Sequence, residues 1–302
     1  MTELARDAAA GLDTSEGTGG QVVLDHLVAL LDLETIDENI FRGVSPPHST
    51  VRVFGGQVAG QALVAAGRTV PVDRKVHSLH AYFIRGGDPQ VPIVYEVDRI
   101  RDGRSYTTRR VVAVQHGKAI FSLSASFQKV ETGIEHADEM PDVPPPDSLP
   151  TFDERLNEYP EIAEARNRPR PIDLRYVNDP PWAREGRASL HNRVWMRADG
   201  RLPDEDLLHV CVLTYASDMT LLDSTMARHG LHWELDTVTG ASLDHALWFH
   251  RAFRADEWFL YDTASPSASG GRALATGRFF AQDGTLIATV VQEGMLRVRK
   301  AL

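Results

Sequence analysis

Three polar residues in the second half of the chain lie in otherwise apolar segments. Asp218 follows an apolar helical segment, Ser242 begins a strand-like segment, and Gln292 lies on an apolar strand. Burying such groups is unfavourable unless each has a polar partner. An ionised aspartate can accept a proton from water, while a hydroxyl and an amide can each donate and accept hydrogen bonds. The three residues are therefore candidates for a site that binds and activates a water molecule.

Each of these residues also has a simpler interpretation. Asp218 could be a local hydrogen-bonding residue at a helix end, and Ser242 an ordinary serine at the start of a strand. Gln292 should share an inward strand face with Leu286 and Val290, where it could bond only to the backbone. The sequence alone leaves these interpretations open.

Covalent and metal-dependent alternatives fit the sequence less well. Ser242, Asp244 and His245 are the residue types of a serine-hydrolase triad, but on one strand the first two share a face and His245 points the opposite way. The segment 240–244 also lacks the final glycine of the nucleophile-elbow motif. Cys211, the only cysteine, lies in an apolar run and is interpreted as a core residue. The histidines show no metal-ligand spacing, so we expect neither a metal nor a cofactor.

Length and charge limit the classes of partner. The 302 residues predict two domains of ordinary size with a tail or linker. A net charge of −10 argues against a basic surface for nucleic acid or for an anionic membrane. No apolar run approaches the roughly 18 residues of a membrane span, and the first residues lack the apolar core of a signal peptide. We therefore expect no nucleic-acid partner, no membrane span and a cytoplasmic location.

The elements that must position the three residues follow from periodicity and turns. The first half contains a helix of small and apolar residues at 54–67, which should be buried on all sides. Four strands are predicted after it, at 76–85, 92–101, 104–115 and 118–128. Their short glycine-containing turns require antiparallel pairing. This half is therefore predicted to be one buried helix wrapped by an antiparallel sheet.

The second half repeats this order. A helix is predicted from about 202 to 219, and strands near 171–178, 191–198, 242–252, 257–264, 272–281 and 285–293. The predicted organisation is a disordered tail at 1–20, a domain at 21–130, an acidic, proline-rich linker at 131–170 with a short helix near 151–166, and a second domain at 171–302.

The two halves also match in register. Segment 82–85 matches 248–251 at an offset of 166, and the turn 116–117 matches 283–284 at an offset of 167. At these offsets Ser242 and Gln292 correspond to Val76 and Ala125. The polar side chains therefore occur in one copy only, which favours a functional site over a structural habit of the fold.

Several motifs, in this order, resemble the acyl-CoA thioesterase II family. They include Phe54-Gly55-Gly56-Gln57, the run from His77 to Arg85, Tyr215-Ala216-Ser217-Asp218, Asp244-His245, Trp248-Phe249-His250-Arg251 and Val291-Gln292-Glu293-Gly294. The resemblance covers roughly residues 23 to 297. It implies an α+β fold of two fused hotdog domains, each with a long buried helix wrapped by an antiparallel sheet, with the catalytic residues in the second.

The resemblance also implies an activity and its residues. In that family an aspartate, a threonine or serine, and a glutamine bind and orient the hydrolytic water. Carried over by position, these residues are Asp218, Ser242 and Gln292, with Ser242 where relatives often have threonine. The implied reaction is hydrolysis of fatty acyl-CoA to free fatty acid and CoA. The alternatives are a non-catalytic acyl-CoA-binding protein, or an acyl-CoA hydratase, which would need a paired histidine and aspartate at the substrate.

Three further expectations concern the substrate and the assembly. Free N–H groups at the start of the 55–70 helix, with the glycines at 55 and 56 permitting close approach, could lie against the thioester. Five arginines between 99 and 110 could contact CoA phosphates or could line a solvated sheet face. Unpaired sheet edges predict a homo-oligomer, a dimer or larger.

Overall fold

The computed structural model of the protein describes residues 19–46, 51–159, 169–184, 186–232 and 238–298. Within them the helices are α1 Gln21–Leu31, α2 Gly55–Gly67, α3 Phe152–Asn157, α4 Asp206–Ser217 and α5 Asp223–His229. The strands of the first half are β1 Glu34–Asp37, β2 Ile40–Gly43, β3 Arg74–Phe83, β4 Ile93–Asp102, β5 Tyr106–Gln115 and β6 Lys118–Lys129. Those of the second half are β7 Ile172–Tyr176, β8 His191–Ala198, β9 Val238–Ser242, β10 Asp244–Phe249, β11 Phe259–Ser269, β12 Arg272–Ala281 and β13 Leu286–Val298. The predicted tail at 1–20 lies almost wholly outside the described residues.

These strands form one continuous sheet that joins the two halves of the chain. Its order is β1-β2-β4-β5-β6-β3-β10-β13-β12-β11-β8-β7, with β9 paired to β13 beside the main path. The halves meet where β3 pairs with β10, and Leu79 lies opposite Leu247 there. The described strand pairs are antiparallel, as the short turns predicted.

The offset found in the sequence recurs in the strand register. Phe83 pairs with Phe121 on β6. The residues 166 and 167 positions later, Phe249 and Ala288, also pair. Strands β10 and β13 therefore hold the same relation to each other as β3 and β6.

Helix α2 is buried along almost its whole length, in agreement with its composition. From Gly56 to Ala66 its residues are buried, and Phe54, where the predicted helix began, is the residue that precedes it. Its small residues let α4 come close. A methyl group at Gly56 would lie 2.4 Å from the backbone oxygen of Tyr215, and one at Gly60 3.3 Å from that of Cys211. The start of α2 and the end of α4 are thus held together at backbone distance.

We expect Gly56→Ala to disturb both stability and activity. The added methyl group meets a backbone oxygen rather than a flexible side chain, so the ends of α2 and α4 must separate. Such overpacking should lower the free energy of unfolding by about 1–3 kcal/mol. Turnover should fall as well, because Asp218 directly follows α4. Thermal unfolding and turnover are measured together, with Gly133→Ala as the control because nothing lies within 4 Å of that position. Equal behaviour of the two variants would contradict the tight helix contact.

The segment predicted as a linker packs against the second half of the chain. Its short helix, α3, begins with a capping box between Thr151 and Glu154, and the end of the predicted helix, at 160–168, lies outside the described residues. The indole of Trp195 donates to the backbone oxygen of Pro144 at 2.9 Å. Within the described parts of the chain, no helix is both long and apolar enough to cross a membrane.

Candidate active site

Asp218 lies where helix α4 ends and helix α2 begins. Helix α4 is apolar on most sides and ends at Ser217, so its burial carries Asp218 into the interior. The side-chain nitrogen of Gln292 donates to Oδ1 of Asp218 at 2.9 Å. The Ser242 hydroxyl and the backbone N–H of Gly56 also lie close enough to this carboxylate to stabilise its charged form. The structure therefore brings the three predicted side chains together.

Gln292 is fully buried on β13, as its place among apolar strand residues predicted. Its main partner is the Asp218 side chain, 74 positions away in sequence, so the interpretation of a glutamine bonded only to the backbone is wrong. The same contact shows that Asp218 is more than a local helix-end residue.

Ser242 ends strand β9, where the sequence predicted the start of one strand at 242–252. The prediction fails because the backbone of Leu243 bonds in two directions. Its N–H donates to Glu293 of β13 at 2.9 Å, and its oxygen accepts from Phe83 of β3 at 3.0 Å. Strands β9 and β10 both run antiparallel to β13, and the register shifts by one residue between the pairs Ser242–Gly294 and Ala246–Val291. A bulge at 243–245 therefore separates the two strands and breaks the alternation of side chains.

This bulge also changes the reasoning about a serine triad. Ser242 and Asp244 lie on different strands, and Asp244 accepts a hydrogen bond from the backbone of Glu293. His245 does not point away from the site. Its Nε2 lies 2.8 Å from Oγ of Ser217, and its side chain contacts Gln292. The imidazole is thus paired with a different serine, and the prediction that these three residues form no triad agrees with the geometry.

The electrostatic environment of Asp218 favours a carboxylate that can take up a proton. Burial is the largest effect and raises the pKa of Asp218 to about 6. Gln292, the backbone of Gly56 and Ser242 act in the opposite direction and lower the pKa of Asp218, because they favour the charged form. Although protein surrounds the carboxylate on most sides, part of the side chain faces a cavity. A base whose pKa lies just below neutral pH is ionised and still able to accept a proton.

The raised pKa of Asp218 predicts a stability difference that depends on pH. The native pKa of about 6 exceeds the ordinary value of 3.8, so the native state binds more protons between these values. The free energy of unfolding should therefore fall as pH rises through this window and stay lower above it. Asp218→Asn lacks this titration. Its free energy of unfolding should therefore rise by about 1–3 kcal/mol relative to that of the native protein between pH 4 and pH 7. Urea unfolding of both proteins across this range measures it, and a constant difference would contradict the burial of an ionised carboxylate.

A cavity of about 570 Å³ opens beside Asp218 and Ser242. Its apolar lining includes Val53, Val58, Phe83, Ile120, Phe121 and Leu243. Gly55, Arg52 and Arg85 also line it. An apolar chain with a reactive carbonyl near Asp218 fits such a space better than a polar ligand does.

The glycine at position 55 lies against the candidate base. A methyl group at Gly55 would lie 2.6 Å from Oδ2 of Asp218 and 2.8 Å from the ring of Phe83. The absent side chain therefore leaves room for the carboxylate and the ring, and close approach of a substrate to Gly55 and Gly56 stays a prediction. The start of α2 nevertheless reaches the cavity, since Gly55 lines it.

Three of the five arginines that could contact CoA phosphates pair with groups of the protein itself. Arg109 is buried and bonds to Thr69 and Asp102. Arg99 pairs with Glu38, and Arg110 with Asp98. None of the five arginines between 99 and 110 is among the residues that line the cavity. The interpretation as part of a sheet surface suits Arg99 and Arg110, whereas Arg109 is a core ion pair.

Two other expectations concern nucleophiles and metals. Burial raises the pKa of the Cys211 thiol well above its ordinary value, which agrees with a core cysteine rather than a thiolate nucleophile. Across the described residues, no group of three or more histidine, cysteine or acidic side chains is arranged to hold a metal ion.

Sequence reasoning missed the contribution of Ser217 and His245. Both side chains are buried, and the hydroxyl of Tyr261 donates to the backbone oxygen of Ser217 at 2.8 Å. A histidine and a serine in apolar segments gave a weak signal of burial. Their contact joins an α-helix to a strand 28 positions away, which periodicity does not reveal.

The chain matches two family models that together cover most of its length. One is described as "Acyl-CoA thioesterase" and matches residues 166–295. The other is described as "Acyl-CoA thioesterase N-terminal domain" and matches residues 44–128. The boundary between the two matches falls within the segment that the sequence predicts to be a linker.

Known proteins are similar along almost the whole chain. The human protein acyl-coenzyme A thioesterase 8 is 42% identical, with 90% of this chain and 89% of that protein covered. The crystal structure of an acyl-CoA thioesterase II, TesB2, from Mycobacterium marinum is 47% identical, with a TM-score of 0.75 and coverage of 91% and 98%. A protein of Alicyclobacillus acidocaldarius described as having a hot dog fold is 21% identical, with a TM-score of 0.74 and coverage of 90% and 98%, and shows the likeness of fold alone.

Proposed function

Because this chain belongs to the acyl-CoA thioesterase family, we propose that Asp218, Ser242 and Gln292 hydrolyse its acyl-CoA substrate with one activated water molecule. The family establishes a thioesterase, and the hotdog fold is that of its structural relatives. The observation that supports this mechanism is the carboxylate of Asp218, whose pKa burial raises to about 6, hydrogen-bonded by the other two side chains beside an apolar cavity.

The reaction needs two proton transfers, one from water to Asp218 and one from Asp218 to the leaving group. The water oxygen attacks the thioester carbonyl while Asp218 takes one water proton as general base. The tetrahedral intermediate then collapses, the carbon–sulfur bond breaks, and the proton on Asp218 passes to the leaving thiolate. Ser242 and Gln292 orient the water through their hydrogen-bonding groups. The products are the free acid and CoA.

A direct attack by water suits this site better than a covalent acyl-enzyme. The hydroxyl of Ser242 faces the carboxylate of Asp218, and the buried imidazole of His245 is paired with Ser217. No acid–base pair is therefore arranged to make Ser242 a nucleophile as a serine hydrolase does.

The cavity favours a fatty acyl group. Its aliphatic and aromatic lining can bury methylene groups, and each buried methylene contributes about 0.8 kcal/mol. For the whole chain, the proposed architecture is two fused hotdog domains, at 21–130 and 171–302, built around α2 and α4. A homo-oligomer and a cytoplasmic location stay predictions from the sequence.

A single assay separates this function from its alternatives. The purified protein is incubated with palmitoyl-CoA and a thiol-reactive dye. A thioesterase releases thiol continuously, whereas a non-catalytic acyl-CoA-binding protein and an acyl-CoA hydratase release none. Among the described residues that line the cavity there is no histidine, which disfavours the hydratase. Binding of palmitoyl-CoA without thiol release would refute the proposed function.

A further inference from the structure

Four buried side chains form a closed circuit behind the proposed base. Asp218 accepts from Gln292 at 2.9 Å. On the antiparallel strands β10 and β13, Ala246 pairs with Val291. His245, which precedes Ala246, therefore lies beside Gln292, which follows Val291. His245 lies 2.8 Å from the hydroxyl of Ser217. The peptide bond between Ser217 and Asp218 closes the circuit.

Two buried polar atoms of the circuit lack a hydrogen-bond partner elsewhere. Nδ1 of His245 and Oε1 of Gln292 are both buried, and neither has a hydrogen bond of regular geometry to another group. The two side chains interact with each other, and the interaction favours a proton on the imidazole. Of these two atoms only the ring nitrogen can carry a proton, so a hydrogen bond between them would run from Nδ1 to the amide oxygen.

One assignment of protons gives both of these buried atoms a partner. An ionised Asp218 can only accept, so Gln292 turns its nitrogen toward the carboxylate and its oxygen is left for another donor. A proton on Nδ1 of His245 supplies that donor. Nε2 of the neutral imidazole is then an acceptor, and in this assignment it accepts from the hydroxyl of Ser217, which also lies 2.8 Å from the backbone oxygen of Thr214.

We propose that His245, held by Ser217, is a positioning residue that fixes the amide of Gln292 with its nitrogen facing Asp218 and the reacting water. This inference rests on the proposed function, since it assigns to His245 a purpose in that same reaction. Without the imidazole donor the amide oxygen is left buried without a partner, and the hydrogen bond to Asp218 alone holds the orientation of the amide.

The surroundings of His245 agree with this assignment. The side chain is fully buried, and burial lowers the pKa of His245 to about 4, so the ring is neutral at pH 7. Ser217 is held in turn, because Tyr261 donates to its backbone oxygen at 2.8 Å and stacks on Phe279 at 4.0 Å between ring centroids. A rigid support of this kind is what the orientation of a catalytic side chain requires.

The first test reads the tautomer of His245 directly. Protein labelled with nitrogen-15 in histidine is examined at pH 7 by long-range proton–nitrogen correlation, and the His245 signals are assigned by their loss in His245→Asn. We expect the proton on Nδ1 and a bare Nε2. A bare Nδ1 with the proton on Nε2 would overturn the inference, whether or not the protein is active.

The second test compares variants in thiol release from palmitoyl-CoA. His245→Leu removes the donor and should lower kcat by about tenfold to a hundredfold with KM nearly unchanged, as expected when a group that orients a catalytic side chain is lost. His245→Asn places an amide nitrogen near the position of Nδ1 and should recover most of this loss. Recovery by asparagine distinguishes positioning from a role in packing alone.

A matched control separates this effect from loss of a buried imidazole. His209 is also buried, accepts from the backbone of Ala255 at 3.0 Å, and within the described part of the chain has no hydrogen bond to the side chains of Asp218, Ser242 or Gln292. His209→Leu should lower the unfolding temperature as His245→Leu does, while kcat of the folded protein stays unchanged. An equal kcat for both variants would overturn the inference. The proposed function is tested separately. If the native protein hydrolyses palmitoyl-CoA and Asp218→Asn does not, equal kcat values for the two histidine variants would refute only the role of His245.

Discussion

Asp218→Asn should lower kcat for palmitoyl-CoA hydrolysis by about 10²–10⁴-fold, the contribution of a well-placed general base. Asparagine keeps the shape of the side chain and can still accept from Gln292, but it has no basic oxygen to take a proton from water. The protein should still fold, because asparagine carries no charge and therefore avoids the cost of burying a carboxylate, the same cost that raises the pKa of Asp218. Steady-state thiol release and a thermal unfolding curve on the same preparation measure both properties.

Asp256→Asn is the matched control for this substitution. Asp256 is also largely buried and pairs with Arg254, but it lies away from the cavity lining. Its replacement should destabilise the protein, since it leaves a guanidinium with one fewer acidic partner, and kcat should stay near the native value. Native-like turnover by Asp218→Asn would refute a general base at this position.

Gln292→Glu should have the second-largest effect, a fall in kcat of about 10²–10³-fold at pH 7, the usual result of losing one aligned donor. The substitution replaces the amide nitrogen 2.9 Å from Asp218 by a carboxylate oxygen. Two carboxylates at this distance share a proton, so the pKa of the pair rises further. The rising limb of the pH–rate profile should therefore move to higher pH, and the profile is measured from pH 5 to 9.

Gln115→Glu provides the corresponding control. Gln115 is a buried glutamine whose amide bonds to the backbone of Asp88 and Val91, outside the cavity lining. Its replacement should reduce stability without moving the pH–rate profile. A native profile in Gln292→Glu would show that the amide nitrogen has no part in orienting the water.

The regular parts of the fold were predictable because their signals are local. The burial of α2 follows from its small and apolar residues, and the antiparallel order follows from short turns. The repeat offset also appeared in the sequence, since a shared strand register leaves matching motifs at constant spacing. The elements that were missed, such as β1, β9 and α5, are short and have little periodicity.

The site was predictable only in part, for a physical reason. The inward direction of Gln292 follows from strand alternation, and its partner was identified from the resemblance rather than from periodicity. The break at Leu243 was not predictable, because it depends on hydrogen bonds to two strands that are distant in sequence. The contact between His245 and Ser217 likewise depends on packing of α4 against the sheet, and strand alternation assumed across that break gave the wrong side for His245.

The most direct test of an activated water is a single turnover in oxygen-18 water with enzyme in excess over palmitoyl-CoA. Direct attack predicts that one labelled oxygen enters the released fatty acid and that peptides containing Asp218 or Ser242 stay unlabelled. An acyl group on Ser242, or label incorporated into the carboxylate of Asp218, would contradict it.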